Sequence, residues 1–336
     1  MIQKIKKNLI DFFKSPKEVI SFFAPILLAF ILIIPTNYTV TVGGGIINMD
    51  KKIEVKNETS KEGSFNSCYV RELNGTVLSY ILGRIIPSFE LNKIEEITLE
   101  NEEKNDYNFR EKMYFNNSST SALKVAFTKL GKKIAIEKED IYVIYIDKLA
   151  KTDIEVGDKI IKVNGENIKT TDELNDEVRK TTGDTINLTV IRNGKEKDVT
   201  GTLIEIEGSK KIGIYLASNI TYKTSPEVNF KFSDKELGPS GGLIMTLSIY
   251  NKLVDEDITK GYKISGTGTI DNDGNVGEIG GVKEKLSGAV RKKSDVFICP
   301  KENYDEAIKI KQEKGYDIKI FGVSTFDEAL KVLGDL

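Results

Sequence analysis

Residues 237–254 read LGPSGGLIMTLSIYNKLV, and residues 266–289 read GTGTIDNDGNVGEIGGVKEKLSGA. In the first stretch a Gly-Pro turn leads into Leu243, Ile244, Met245, Leu247, Ile249 and Leu253, which cover nearly the whole circumference of a helix and so predict a buried one. The text around it alternates. KIGIYLAS, EVNFKF, YKISGTGTI, DVFICP and DIKIFGV read as strands, and GGVKEKLSGAVRKK, ENYDEAIKIKQEKG and TFDEALKVL read as helices, so residues 207–336 are expected to form an α/β domain around a packed sheet.

Ser240 stands where the turn enters that helix. Unpaired backbone N–H groups and the positive dipole end are found at such a place, and both stabilise an oxyanion, which suits a nucleophile. The same position equally suits an N-cap serine with no chemistry. The second stretch sets Lys283 and Lys285 at the start of another helix, directly after a Gly-Gly turn. A lysine buried there holds its proton weakly and can act as a base toward a serine. Val282, Leu286, Ala289 and Val290 define the apolar stripe, and both lysines flank it, so periodicity does not choose between them.

The composition of the 336 residues removes other chemistries. The chain has no His, which excludes the Ser-His-Asp triad, the Cys-His dyad and every His-ligated metal site. With 49 basic and 51 acidic residues, nothing predicts a nucleic-acid partner. Cys68 and Cys299 lack CxxC spacing and read as structural, a disulfide between them being left open. No metal and no cofactor are expected. Ser121-Ala122-Leu123-Lys124 matches the S-x-x-K pattern of penicillin-binding proteins, but Ser233-Asp234-Lys235 lacks the Asn of S-D-N and Lys180-Thr181-Thr182-Gly183 is not K-T-G. Ser121 and Lys124 are therefore read as a solvated helix face.

The N-terminus carries Lys4, Lys6, Lys7, Lys14 and Lys17, followed by the apolar run 19–35, VISFFAPILLAFILIIP. The order of a basic segment (1–18) and an apolar run near the lower length limit for spanning predicts a single-pass anchor, with the N-terminus in the cytoplasm and the remaining chain outside the cell, the rival readings being a cleaved signal peptide and a buried helix of a soluble domain. Residues 36–130 alternate short apolar runs with turn residues and are expected to pack with the C-terminal domain. Within them, Gly43–Gly45 read as a tight turn, ITLENEEKNDYNFREK as an exposed polar segment, and SSTSALKVAFTKLG as an amphipathic helix with a Ser or Thr cap and a stop at Gly131.

Residues 131–206 give strands, one helix capped by Thr171 or Asp172, and a closing hairpin. VGDKIIKVNGENIKTTDELNDEVRK resembles the core of a PDZ domain in the circularly permuted bacterial arrangement. A glycine-hydrophobe carboxylate loop is not legible in LGKKIAIEKEDIYVIYI, which leaves peptide pairing along a strand edge as the binding mode.

The Gly-Pro-Ser turn and the Gly-Gly-Val-Lys-Glu-Lys helix start resemble the motifs of the Lon proteolytic domain. That resemblance implies Ser240 as nucleophile, Lys285 as its dyad partner and Thr267 as a supporting residue that orients the lysine, with Gly238, Pro239 and Gly241 shaping the turn. Leu237 stands where the family usually has an acidic residue. The full order of anchor, small N-terminal region, PDZ and Lon-like domain resembles the membrane-anchored PDZ and Lon-like serine peptidases of Gram-positive bacteria, the YlbL or SepM type. The fold class is accordingly mixed α/β and α+β, multidomain. No GxxxxGK followed by Ser or Thr occurs, so the resemblance implies an ATP-independent endopeptidase acting on peptides or flexible protein segments, with no nucleotide partner and with an oligomer allowed. The alternative is a non-catalytic, membrane-tethered PDZ scaffold.

Overall fold

The computed structural model describes residues 13, 15–56, 58, 61–206 and 208–336. In chain order, helix α1 (Pro16–Leu32) is followed by strands β1 (Tyr38–Asn48), β2 (Ile53–Val55) and β3 (Ser64–Leu73), helix α2 (Val77–Ile85), strand β4 (Phe89–Lys93) and helices α3 (Ile94–Ile97) and α4 (Lys104–Lys129). A β-rich segment comes next, with β5 (Lys133–Ile146), β6 (Lys159–Val163), β7 (Glu166–Asn167), helix α5 (Thr171–Lys180), β8 (Thr185–Arg192), β9 (Lys195–Thr202), β10 (Ile204–Ile206), β11 (Ser209–Lys211) and β12 (Ile214–Ser225). The C-terminal segment holds β13 (Val228–Phe230), α6 (Gly242–Leu253), β14 (Lys263–Gly266), β15 (Thr269–Ile270), β16 (Val276–Gly277), α7 (Val282–Arg291), β17 (Val296–Pro300), α8 (Lys301–Lys314), β18 (Lys319–Val323) and α9 (Phe326–Gly334).

The chain divides into two compact units, one from Met1–Val42 and Arg71–Ile97, the other from Gly43–Val70 and Thr98–Leu336. In the smaller unit, Tyr38–Val42 of β1 pair antiparallel with Phe89–Lys93 of β4. Helix α2 begins with a capping box in which Thr76 and Ser79 exchange side-chain and backbone hydrogen bonds. Helix α1 starts with Pro16, where a missing N–H costs nothing, and its apolar side chains, Phe22, Leu27, Leu28 and Phe30 among them, are exposed. It corrects the expected span over 19–35. The helix has 17 residues and stops at Leu32, because Ile34 precedes Pro35 and is biased away from helical geometry. Among the described residues no helix is long and apolar enough to cross a membrane. Lys4, Lys6, Lys7 and Lys14 of the expected basic segment lie outside the described residues.

The β-rich segment forms one sheet in the order β12-β5-β6-β8-β9, with β7 added on β6. Ile141, Val143, Ile160, Val163, Leu174, Ile186, Leu188 and Val190 fill its core. Helix α5 is capped one residue earlier than expected, by Thr170, whose Oγ1 accepts from Glu173 N while the Glu173 carboxylate accepts from Thr170 N. This frees the Thr171 hydroxyl to pair with Ser218 of β12 at 3.0 Å.

Helix α4 differs from the expected polar segment and short capped helix, since it runs unbroken for 26 residues. Its polar interior is satisfied from outside the helix or back along it. Arg110 makes a bidentate pair with Glu102 (Nε to Oε1 2.7 Å, Nη2 to Oε2 2.9 Å) and also reaches Glu111 (3.1 Å). Ser119 donates to Phe115 O, and Ser121 donates to Asn272 Oδ1, so Ser121 is only half-buried and engaged with a loop rather than freely solvated.

In the C-terminal segment, β18-β17-β14-β3-β1 form a sheet whose β18, β17, β14 and β3 run parallel. Side chains alternate between two apolar layers as strand geometry requires. Val296 and Ile298 face a core shared with α4, α6 and α9, whereas Phe297 and Cys299 face α7 and α8. Gly43–Gly45 are not a turn but lie within β1, because a Cβ on Gly44 would overlap the Tyr69 ring and Gly45 lies against Gly288 of α7. Cys68 and Cys299 share the second layer as free, buried thiols, which corrects the open possibility of a disulfide.

Candidate active site

The turn before α6 is held at both of its carbonyls. Gly238, at φ +80°, takes a conformation that glycine tolerates, and its N–H donates to Glu111 O of α4 at 3.0 Å. Pro239 O accepts from Gly242 N (3.2 Å) and from Ser118 Oγ (2.8 Å). Ser240 O accepts from Gly268 N (2.7 Å) and Thr267 Oγ1 (3.0 Å), and Leu243 N returns to Gly268 O (3.0 Å). Gly241 is the N-cap residue and no side chain caps the helix, so the Ser240 hydroxyl is not spent on capping. Among the described residues the N–H groups of Ser240 and Gly241 have no backbone acceptor. Two donors are thus open beside a free serine hydroxyl, at the positive end of a buried helix.

Lys285 lies on the first turns of α7, whose N-cap Gly281 is left-handed (φ 69°). The structure separates the two lysines that periodicity could not. Lys283 is half-buried, whereas Lys285 is 3% exposed. Burial without a carboxylate partner lowers its proton affinity to about 8. Among the described residues the titratable group that bears on it is Cys68, whose thiol, itself pushed up to about 12 by burial, stays protonated and uncharged at neutral pH.

Strand β3 borders both halves of the site. Ser67 Oγ stands 3.0 Å from where a Cβ on Gly241 would be, and the next residue, Cys68, packs in the layer that holds α7, near enough to Lys285 for the two to interact electrostatically. Thr267 touches the Ser240 turn directly. Fully buried and next after β14, it donates its hydroxyl to Ser240 O. Sequence reasoning missed Ser118 altogether and read Cys68 as merely structural. The signal for Ser118 was the run Asn116–Ser121, whose residues are poor helix formers and stay helical only with partners outside the backbone ladder.

A glycine-hydrophobe loop absent from residues 130–146 is present further on. Ile212-Gly213-Ile214, with Gly213 at φ +83°, leads into β12, which ends the sheet order and has α5 at its side through the Thr171–Ser218 pair.

Residues 233–334 match the family model of the Lon protease (S16) C-terminal proteolytic domain, and residues 106–203 match that of the PDZ domain. The C-terminal region is of the Lon proteolytic type. Lon proteolytic domains are serine peptidases. The chain is 38% identical over 95 residues to a Lon protease of Campylobacter concisus, covering 28% of this chain and 12% of the relative. It is 30% identical over 118 residues to Lon protease 2 of Borreliella burgdorferi, covering 34% of this chain and 15% of the relative. This chain therefore spans only a small fraction of the length of those Lon proteases. A crystal structure of the PDZ domain of an SdrC-like protein from Listeria monocytogenes is 25% identical, with a TM-score of 0.21, over 23% of this chain and 85% of that one. In the Lon-type region of this chain lie Ser240, Thr267 and Lys285, and helix α4, with Ser118, falls within the stretch matched to PDZ.

Proposed function

We propose that the chain is a serine endopeptidase that uses Ser240 as nucleophile and Lys285 as general base. The observation that carries this reading is the burial of Lys285, which brings its proton affinity to about 8, on a helix packed over the strands that border the Ser240 turn. Neutral Lys285 takes the Ser240 proton as Oγ bonds to the scissile carbonyl carbon, and the N–H groups of Ser240 and Gly241 hold the resulting oxyanion. The protonated lysine then gives its proton to the leaving amine as the C–N bond breaks. Water, deprotonated by the same lysine, releases the acyl group from Ser240.

Substrates are flexible peptide segments, because the sequence carries no P-loop pattern with which to drive unfolding. The PDZ region offers the free edge of β12 beside α5 as the place where an extended segment pairs. We further propose that the N-terminal segment holds the protein on the extracytoplasmic face of a membrane. In support, α1 exposes apolar side chains along its length and five lysines precede or begin it.

The test incubates the full chain in detergent with an unfolded model protein, read by mass spectrometry, beside Ser240→Ala, Lys285→Ala, Lys283→Ala and Ser121→Ala. Cleavage lost in the first two and retained in the others is the expected result. Loss in Lys283→Ala with Lys285→Ala active moves the base to the other lysine, and an inactive native chain favours the PDZ scaffold. Flotation with liposomes, compared with a chain starting at residue 36, tests the membrane contact.

A further inference from the structure

We infer that Ser118, on helix α4 and more than a hundred residues upstream of the nucleophile, is a positioning residue that fixes the Ser240 turn in its reactive shape. The inference rests on Ser240 being the nucleophile. Three observations converge on it. The Ser118 hydroxyl donates to Pro239 O at 2.8 Å, the carbonyl of the peptide bond whose N–H belongs to Ser240. That peptide plane is rigid, so holding its oxygen from α4 also aims its N–H, one of the two open donors, toward the site. The contact is also close and buried. Ser118 is 3% exposed, and a Cβ on Gly242 would overlap its Oγ, which explains the glycine at the first position of α6. Two turns earlier along the same face, α4 takes the Gly238 N–H on Glu111 O, so the helix grips the turn at two successive residues.

Ser240 is thus held from two directions. Thr267 and Gly268 fix its carbonyl from β14, and Ser118 fixes the preceding carbonyl from α4. Losing the second grip lets the Pro239–Ser240 peptide rotate, which misaims the oxyanion donor while leaving Lys285, with which Ser118 has no hydrogen bond, unchanged. The neighbouring Ser119 provides an internal control. It is 6% exposed, but its hydroxyl donates to Phe115 O of α4 at 3.0 Å, touches α6 only through the weak acceptor Met245 Sδ at 3.5 Å, and makes no hydrogen bond to the turn.

The experiment uses the full chain in detergent and compares native protein, Ser118→Ala, Ser118→Cys and Ser119→Ala. Two rates are read: cleavage of an unfolded model protein, and phosphonylation of Ser240 by a fluorophosphonate, in which Oγ bonds to phosphorus and fluoride leaves. For Ser118→Ala, kcat and the labelling rate are expected to fall by about 10- to 100-fold, the scale for sub-ångström misplacement of reacting groups, with KM within about threefold. The alkaline rise of its pH profile stays where the native one lies. Ser118→Cys, nearly isosteric but a weak donor, is expected between native and alanine and decides the matter should the alanine variant not fold. Ser119→Ala should match the native rates. Native rates in both Ser118 variants, or an equal loss in Ser119→Ala, overturn the inference. A native chain not labelled at Ser240 while still cleaving removes the nucleophile itself, and the role of Ser118 with it.

Discussion

At the residue scale, Lys285 sets both a pH profile and a stability cost. Under the proposed mechanism cleavage needs its neutral form, so kcat/KM should rise with pH through an apparent pKa near 8 and flatten above it, and Lys283→Ala should leave that limb in place. The folded state releases this proton at about 8 and the unfolded chain near the ordinary lysine value of 10.5. Between the two the unfolded chain binds more protons, so stability rises with pH across that window, by at most about 1.4 kcal/mol per unit. Below it, the folded state carries a buried ammonium. Lys285→Met should accordingly abolish cleavage yet raise the melting temperature at pH 7, and a melting temperature that falls would show that the lysine is not a burden on the fold. Ser240 and the lysine pair were legible because turn glycines and a helix start leave local signatures. The choice of Lys285 over Lys283 was not, since it depends on which side of α7 the sheet covers. Thr267 entered only through the family resemblance, and its bond to Ser240 O is a contact across the fold that no spacing encodes.

Among the elements, α4 illustrates how tertiary partners override local propensity. Its residues 104–121 read as polar and helix-poor, yet they are helical because Arg110, Ser118 and Ser121 find partners off the helix. The Arg110 guanidinium neutralises Glu102, whose side chain is fully buried and whose carboxyl, although burial alone would raise it, is held below the usual range by that pairing and by the Leu99 N–H. Arg110→Met strands the carboxylate, and we expect a loss of about 3–5 kcal/mol, seen as a lowered urea midpoint. Recovery of most of that loss in Arg110→Met/Glu102→Leu would assign it to the unpaired charge, and no recovery would assign it to packing. Helices α6, α7, α8 and α9 were legible within a few residues, since each carries its own turn, cap or apolar face. The strand identity of Gly43–Gly45 was hidden, because three glycines read as a turn unless the Tyr69 ring that needs the space is known.

Across the whole molecule, the C-terminal sheet does not own its core. Met49, Ile53, Phe65, Leu123 and Phe127 pack with Leu243, Ile244, Val296 and Phe326 in one cluster. A fragment of residues 207–336 alone lacks strand β3 and helix α4, and should fail to melt cooperatively, whereas residues 36–336 should melt as the full chain does. A cooperative melt of the short fragment would show that the shared core is dispensable. The β-rich segment relates to this core quite differently. It leaves and re-enters through β5 and β12, which are hydrogen-bonded partners from Ile146↔Ile214 to Lys133↔Ser225. Its two ends are therefore about one strand spacing apart, roughly 5 Å. Such a segment is a cassette on a two-pronged plug. In an ancestral gene it could be spliced in or out with almost no loop-closure cost to its host, and an engineer could exchange it for any small domain with adjacent termini and so redirect what the C-terminal domain is brought against.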